Sequence, residues 1–247
     1  MNLIIDIGNT RAKVVVFDGN EPVAEMVTDH KLVGLSRFVR QHKPERGIVS
    51  TTAKLGRMAE RRLSALPCPI LRMTGEMPVP IQVRYATPET LGADRLAAVV
   101  GAWSMYPGNN ILVIDAGTCV TYDLVDAQGN YWGGNISPGL RMRLTAMHRL
   151  TGRLPQVELQ GETPEVGFDT PTAMRSGTVW GLRREIEGQI DHFGHKYSHL
   201  LVFLTGGDAK YLDMSAKNSI FAPENVKVVA DEQLVPRGLN TILEHNK

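Results

Sequence analysis

Leu-Ile-Ile-Asp-Ile-Gly, residues 3–8, runs on through Asn9 and Thr10 to Lys13. Residues 111–118 repeat the phrase as Ile-Leu-Val-Ile-Asp-Ala-Gly-Thr, running on through Thr121 and Asp123. Each apolar run ends in an aspartate, a variable residue, a glycine and a small polar residue, and β-prone sequence comes after. A buried strand that delivers a carboxylate and then turns at glycine sets charge beside exposed backbone amides. That arrangement suits a metal–phosphate complex. Two copies about half a chain apart point to an internally duplicated protein that clamps a nucleotide between similar halves.

The bulk of the sequence agrees with this and narrows the alternatives. A chain of 247 residues makes one large domain or two small ones. With 43% hydrophobic and 21% charged residues it has the composition of a globular protein. A net charge of +1 gives no electrostatic footprint for nucleic acid or an anionic membrane, so neither is an expected partner. Cys68 and Cys119 lie far apart, outside any metal-ligand spacing, and read as reduced thiols. Asp6 interrupts the opening apolar run, no basic leader precedes it, and no run is long enough for a membrane span. The expected location is the cytoplasm.

Working outward from the two phrases, the first half reads as strands at Asn2–Ile7, Ala12–Phe17 and Val23–Thr28, with a turn at Asp18-Gly19-Asn20. Next are a helix over Leu32–Gln41, a buried strand at Gly47–Ser50, a helix over Thr52–Leu66 and a strand at Ile70–Arg72. Arg57, Arg61 and Arg62 form the solvated face of that second helix. Prolines at 67, 69, 78 and 80 punctuate the next stretch, and the junction falls between Tyr85 and Glu89, giving halves 1–86 and 87–247. The second half reads as a helix over Glu89–Trp103 and strands at Asn110–Asp115, Cys119–Val125 and Tyr131–Ile136. A helix with Pro138 in its first turn, a loop over Leu150–Asp169 and a long helix over Thr170–Phe193 come next. A strand at Leu200–Leu204 and a closing helix at Leu234–Glu244 end it. The order of elements repeats, which is the duplicated α/β pattern of ribonuclease-H-like, actin-like ATPases.

Five constellations carry chemistry. Asp6 at a strand end can hold Mg²⁺ through water, because that ion keeps much of its hydration shell and favours carboxylates plus phosphates. Gly8 lets backbone approach phosphate, Asn9 and Thr10 offer donors, and Lys13 can reach a β- or γ-phosphate as a point charge. The same residues also suit a plain hairpin turn. Asp115-Ala116-Gly117-Thr118 is the matching loop. Gly133-Gly134-Asn135-Ile136-Ser137-Pro138-Gly139 leads into a helix start, which suits either a tight connection or a ligand against bare backbone. Gly206-Gly207 after a strand suits an adenine or ribose lying on backbone. Gly92-Ala93-Asp94-Arg95 sets an acid and a base in otherwise apolar helical sequence. It reads either as a surface pair at a helix start or as a general base with an anion anchor.

Asp6-x-Gly-Asn-Thr-x-x-Lys13, Gly92-x-Asp94-Arg95, Asp115-x-Gly-Thr118 and Gly133-Gly-x-Ile-x-Pro-Gly139 together resemble, in order and approximate spacing, type III pantothenate kinases. The likeness runs from residue 1 to about 240. It implies the fold of the acetate and sugar kinase/Hsc70/actin superfamily, a homodimer, and ATP-dependent phosphorylation of pantothenate at the entry to coenzyme A synthesis. By position it implies an ATP phosphate loop over Asp6, Ile7, Gly8, Asn9, Thr10, Arg11, Ala12 and Lys13, with a further phosphate contact at Thr118. Gly206 and Gly207 then border adenosine. Asp94 deprotonates the pantothenate hydroxyl, while Tyr85, Gly92, Ala93 and Arg95 line the substrate site, joined by Thr170 from the partner subunit. Asp115 is implied as the ligand of an activating monovalent cation, potassium or ammonium. Cys119 stands where the family more often has alanine, and Asp169 where asparagine is common. A non-catalytic accessory protein and a kinase for another small hydroxy acid are the competing readings, and a filament or chaperone ATPase would need a much longer chain.

Overall fold

The computed structural model describes residues 1–52, 55–212 and 226–247. By contacts the chain forms two compact units. Unit 1 comprises Met1–Gly108, Gln128–Gly133 and Gln233–Lys247, and unit 2 comprises Asn109–Ala127 and Gly134–Glu232.

In unit 1, strands β1 (Asn2–Ile7), β2 (Ala12–Asp18), β3 (Glu21–Thr28), β4 (Arg46–Thr51) and β5 (Ile70–Arg72) form a sheet in the order β3-β2-β1-β4-β5. β1 is antiparallel to β2 and parallel to β4. Leu3, Ile4 and Ile5 are wholly buried, the continuous apolar run of a central strand covered on both faces. Helices α1 (Leu35–His42) and α2 (Arg57–Ser64) give Leu35, Val39, Ala59 and Leu63 to the cluster that holds Leu3, Ile5 and Ile7. Both helices start later than the sequence pattern implies. Leu32 and Gly34 take positive φ of 57° and 87° ahead of α1, and Gly56 precedes α2. The expected second helix also crosses residues 53 and 54, which lie outside the described residues.

Helices α3 (Ala93–Met105) and α6 (Leu234–His245) complete unit 1. They meet backbone to backbone, because a Cβ on Gly238 would lie 1.7 Å from the Ala97 carbonyl oxygen and one on Gly101 2.4 Å from that of Leu234. α3 does not begin at Glu89 as expected. Pro88–Thr90 form a separate 3-10 turn, Leu91 turns extended with its side chain buried, and Gly92 is the residue before the helix. A two-residue strand absent from the sequence reading, β6 (Gln82–Val83), also belongs to unit 1. It pairs with the start of β9 (Asn130–Pro138) at Asn130 and Tyr131.

Unit 2 repeats the design. Strands β7 (Ile111–Ala116), β8 (Cys119–Val125), β9, β10 (Leu200–Thr205) and β11 (Val226–Ala230) run in the order β11-β10-β7-β8-β9. β7 is antiparallel to β8 and parallel to β10, as β1 is to β2 and β4. Numbered within its half, each sheet has the same order, 3-2-1-4-5. This is the expected duplicated ribonuclease-H-like fold. Helix α4 (Leu140–Leu150) starts after Pro138, which ends β9, so the proline is not in the first helical turn as expected. Helix α5 (Thr170–Lys196) is capped by Asp169, whose carboxylate accepts from the Thr172 amide at 2.8 Å and from its hydroxyl at 2.7 Å. α5 divides its apolar and small residues between two environments: Met174 and Ile186 are core, while Ala173, Gly177 and Gly181 are exposed. Among the described residues no helix is long and apolar enough to cross a membrane.

Candidate functional site

In unit 1 the first aspartate phrase is a hairpin end. Asp6 lies opposite Lys13 on β2 and beside Ser50 on β4, so three polar side chains share one end of the central strands. The Gly8 amide donates to the Arg11 carbonyl at 3.1 Å and closes the turn. Asn9, Thr10 and Arg11 project into solvent, whereas Ile7 and Ala12 bury their side chains and offer only backbone. A Cβ on Gly8 would meet only the Arg11 carbonyl oxygen, at an ordinary 3.6 Å. Lys13 pairs with Glu25 at 3.6 Å. Ser50 is fully buried and its hydroxyl has no hydrogen-bond partner, so an oxygen donor of the right hardness for Mg²⁺ stands next to Asp6.

The second constellation of unit 1 lies at the start of α3. Asp94 falls in the first turn, where the helix dipole favours an anion, and its carboxylate accepts from the Arg95 amide at 2.9 Å. Arg95 is 7% exposed, so the pair stands at a helix start but its base is not on the surface. The Arg95 guanidinium lies 5.7 Å from the centre of the Tyr85 ring. Tyr85 in turn seats on Gly133, where φ is +88° and a Cβ would come within 2.6 Å of the ring. Gly92, Ala93, Asp94, Arg95 and Tyr85 are therefore brought together, and Gly133 is a supporting residue that the sequence reading left unassigned within its glycine-rich phrase.

In unit 2 three loops meet around the turn that leaves β7 at Asp115. Gly117 turns the chain after β7, with its amide donating to the Cys119 carbonyl at 3.0 Å. Gly139 donates to the Thr118 carbonyl at 3.1 Å, and a Cβ there would sit 2.3 Å from the Gly117 carbonyl oxygen. Gly206, at φ +94°, leaves room for only 2.5 Å between a Cβ and Asp115 Oδ1 and 2.4 Å to the Ala116 carbonyl oxygen. Thr118 and Gly207 are exposed at the rim. The cradle is carboxylate and peptide oxygen with bare glycine backbone, a donor set of the kind an alkali cation takes. Asp208, next in line, has its carboxyl pushed up by burial, against the pull of Arg141 and Lys210. Thr170 opens α5, exposed, beside a cap whose Asp169 carboxyl is held below its usual range by the Thr172 hydroxyl and amide. The aspartate at 169 thus works as a helix cap. Among the described residues no cluster of three His, Cys, Asp or Glu side chains could hold a metal, so any ion here would lean on single carboxylates and ligand oxygens.

Comparison with known proteins bears on this arrangement. The family model of type III pantothenate kinases matches residues 2–192. A type III pantothenate kinase of Bacteroides fragilis is 49% identical, covering 100% of this chain and 98% of its own. That of Phocaeicola vulgatus is 47% identical over 100% and 99%, and that of Porphyromonas gingivalis 41% identical over 99% and 98%. Among solved structures, the activator of 2-hydroxyisocaproyl-CoA dehydratase from Clostridium difficile, with bound ADPNP, is similar at a TM-score of 0.55 and 13% identity. It covers 99% of this chain and 95% of that one. The ethanolamine utilization protein EutJ from Carboxydothermus hydrogenoformans is similar at a TM-score of 0.54 and 17% identity, covering 97% and 89%. At those identities the two structures speak for the fold alone.

Proposed function

Because the chain belongs to the type III pantothenate kinase family, we propose that it transfers the γ-phosphoryl group of ATP to the primary hydroxyl of pantothenate, in the cytoplasm, as the first step of coenzyme A synthesis. The observation that carries this reading is the joint placement of Asp94, Arg95 and Tyr85 at the start of one helix. It gives a carboxylate, a shielded cation and an aromatic face, which are the needs of a small hydroxy acid. Asp94 takes the hydroxyl proton, Arg95 holds the substrate carboxylate, and Tyr85 with Gly92 and Ala93 forms the wall. Phosphoryl transfer passes through a loose transition state, so placement and charge neutralisation do most of the work. In unit 1 the backbone of residues 6–13 and the Lys13 ammonium take phosphate oxygens. In unit 2 Thr118 adds a hydroxyl, and Gly206 and Gly207 border the adenosine. Asp6 would hold Mg²⁺ through water and Asp115 a potassium or ammonium ion, and both ions would supply positive charge against the triphosphate. The halves of the duplication run over 1–86 and 87–247.

The test is direct. Purified protein with ATP, Mg²⁺ and K⁺ should convert pantothenate to its 4'-phosphate and leave other small hydroxy acids largely untouched. Asp94→Asn should keep the fold and lose about 10²–10⁴-fold in turnover, since an amide of equal size cannot accept the proton. A folded Asp94→Asn protein working within a few-fold of wild type removes Asp94 from the role of base. No turnover of any hydroxy acid would favour the accessory-protein reading.

The active form is a homodimer in which Thr170 reaches the partner's substrate site. Ala173, Gly177 and Gly181 support this, as an exposed small-residue ridge on α5 with no atom within 4 Å of a Cβ built on either glycine. Thr170→Arg and Asp94→Asn subunits, each inactive alone, should recover one competent site per mixed dimer. Verified mixed dimers without activity would end the shared-site reading, and a fully active monomer would end the dimer.

A further inference from the structure

Arg143 lies one turn into α4, and its guanidinium is divided among three acceptors. Nε donates to the Pro138 carbonyl at 2.7 Å, while Nη2 donates to Ser137 Oγ at 3.0 Å and to Glu185 Oε2 on α5. The other carboxylate oxygen of Glu185 accepts from the Tyr122 hydroxyl of β8 at 2.7 Å. The Arg143 and Glu185 side chains are only 21% and 29% exposed, so the pair is partly sheltered from solvent screening. Burial by itself pushes the Glu185 carboxyl up, yet the hydrogen bonds from Arg143, Tyr122 and Ser137 hold it below its ordinary value. The Tyr122 hydroxyl is pushed up by burial first and by the carboxylate second, and so stays a donor. The network has one stable charge state: cation, anion and neutral phenol.

Its place in the chain gives it a use. Ser137 and Pro138 are the two residues before Gly139, and Gly139 is the residue pressed on the carbonyls of Gly117 and Thr118. Arg143 also donates its own amide to the Gly139 carbonyl at 3.0 Å. The backbone of Tyr122 is packed against Gly134 of β9, where a Cβ would lie 1.7 Å from its carbonyl oxygen. The fork of Arg143 thus ties the end of β9, the first turn of α4 and the middle of α5 to the strand that leaves the Gly117–Thr118 turn.

We propose that Arg143, braced by Glu185 and Tyr122, is a positioning residue for phosphoryl transfer: it fixes the start of α4 against the Gly117–Thr118 turn and so sets where Thr118 meets phosphate. The inference rests on the proposed phosphate role of Thr118. Lysine cannot replace the arginine, because a point charge on a flexible stem does not present a planar fork to three acceptors at once.

The experiment compares wild type, Arg143→Lys, Glu185→Gln and their double variant, well below their melting temperatures. Arg143→Lys should lower kcat about 10²-fold, the scale of a small misplacement of reacting groups, with KM for pantothenate nearly unchanged. Glu185→Gln should lower kcat less, and the double variant should be no worse than Arg143→Lys alone, since both act through one network. A folded Arg143→Lys protein with wild-type kcat overturns the proposal, and so do fully additive losses. If Arg143→Lys does not fold, Tyr122→Phe decides: about a threefold to tenfold fall in kcat supports positioning, and none overturns it. A wild type that phosphorylates no pantothenate fails the proposed function instead. Calorimetric binding of ATP with Mg²⁺ then decides the inference, with weaker binding by Arg143→Lys in its favour and equal binding against it.

Discussion

The turns after Asp6 and Asp115 are written in nearly the same residues and sit at the same place in two sheets of the same order, yet they are built differently. Each is closed by its own hairpin bond, from Gly8 to Arg11 and from Gly117 to Cys119, but the first leaves Asn9, Thr10 and Arg11 in solvent with ordinary space beside Gly8. The second is walled in by Gly139 and Gly206, both at distances no side chain would tolerate. The folded chain itself therefore has room for a side chain at the first glycine, as the proposed phosphate loop there would require of backbone kept bare for a ligand. The glycines around the second are demanded by packing before any ligand arrives. One motif, used twice, gives an exposed turn in the first copy and a turn packed in by glycines in the second.

The sharpest way to break this comparison is to add one methyl to the first turn and one to the glycine packed against the second. Gly8→Ala should melt within about 1 kcal/mol of wild type, since its backbone and surroundings accept a Cβ. It should nevertheless lose about 10²-fold in ATP-dependent turnover through displaced phosphate. Gly139→Ala should cost about 3 kcal/mol, a fall of roughly 6–12 °C in melting temperature, because two backbone carbonyls must move. Thermal melts with steady-state rates read both, and equal melting of the two variants would erase the distinction.

A smaller effect belongs to the second turn alone. Turnover at fixed ionic strength should rise about tenfold when K⁺ or NH₄⁺ replaces Na⁺, on the order of 1.4 kcal/mol of barrier. Asp115→Ala should abolish that difference and Asp6→Ala should not. Equal rates in all three salts would remove the cation from the cradle.

The smallest effect sharpens the comparison at the level of the units. Unit 1 is tied at the far end of β1 by Glu244, which accepts from Asn2 at 2.7 Å and from Arg46, while Asn2 also donates to Asn240 at 2.7 Å. Burial opposes ionisation of Glu244, but hydrogen bonds from Asn2 and Lys247 and the charge of Arg46 lower its carboxyl to about 2. A group whose folded value lies below its unfolded one stabilises above the unfolded value, near 4.5, and loses that contribution as pH falls through about 2. Wild type should therefore lose stability between about pH 5 and 2 more steeply than Glu244→Gln, as followed by denaturant melts across that range. Parallel curves would show that this tie contributes nothing.

Much of this was legible in the chain. Asn2–Ile7, Cys119–Val125 and Ile70–Arg72 read as the strands they are, and for the first the cause is plain: Leu3, Ile4 and Ile5 are an unbroken apolar run buried on both faces, and such a run is visible in one dimension. The repeated Asp-x-Gly turn disclosed the duplication, and with it the fold, for the same local reason. Helix starts were less legible at Glu89 and Pro138. Leu91 is extended in order to bury its side chain, and Pro138 still belongs to β9, with Gly139 between it and the helix. β6 escaped notice because two residues carry no period, and it exists only where Asn130 and Tyr131 lie alongside. Of the candidate site, the sequence determined which residues have the right chemistry: Asp6, Lys13, Asp94, Arg95, Asp115 and Thr118. Tertiary structure alone decided that Arg95 is shielded beside Tyr85, that Met174 and Ile186 are core while Gly177 and Gly181 face solvent, and that Arg143, Glu185 and Tyr122 form one network. Apolar periodicity and turn chemistry act between neighbours in the chain and leave a local trace. A guanidinium that meets a carboxylate 42 residues away leaves none, because only the packed fold brings the two together.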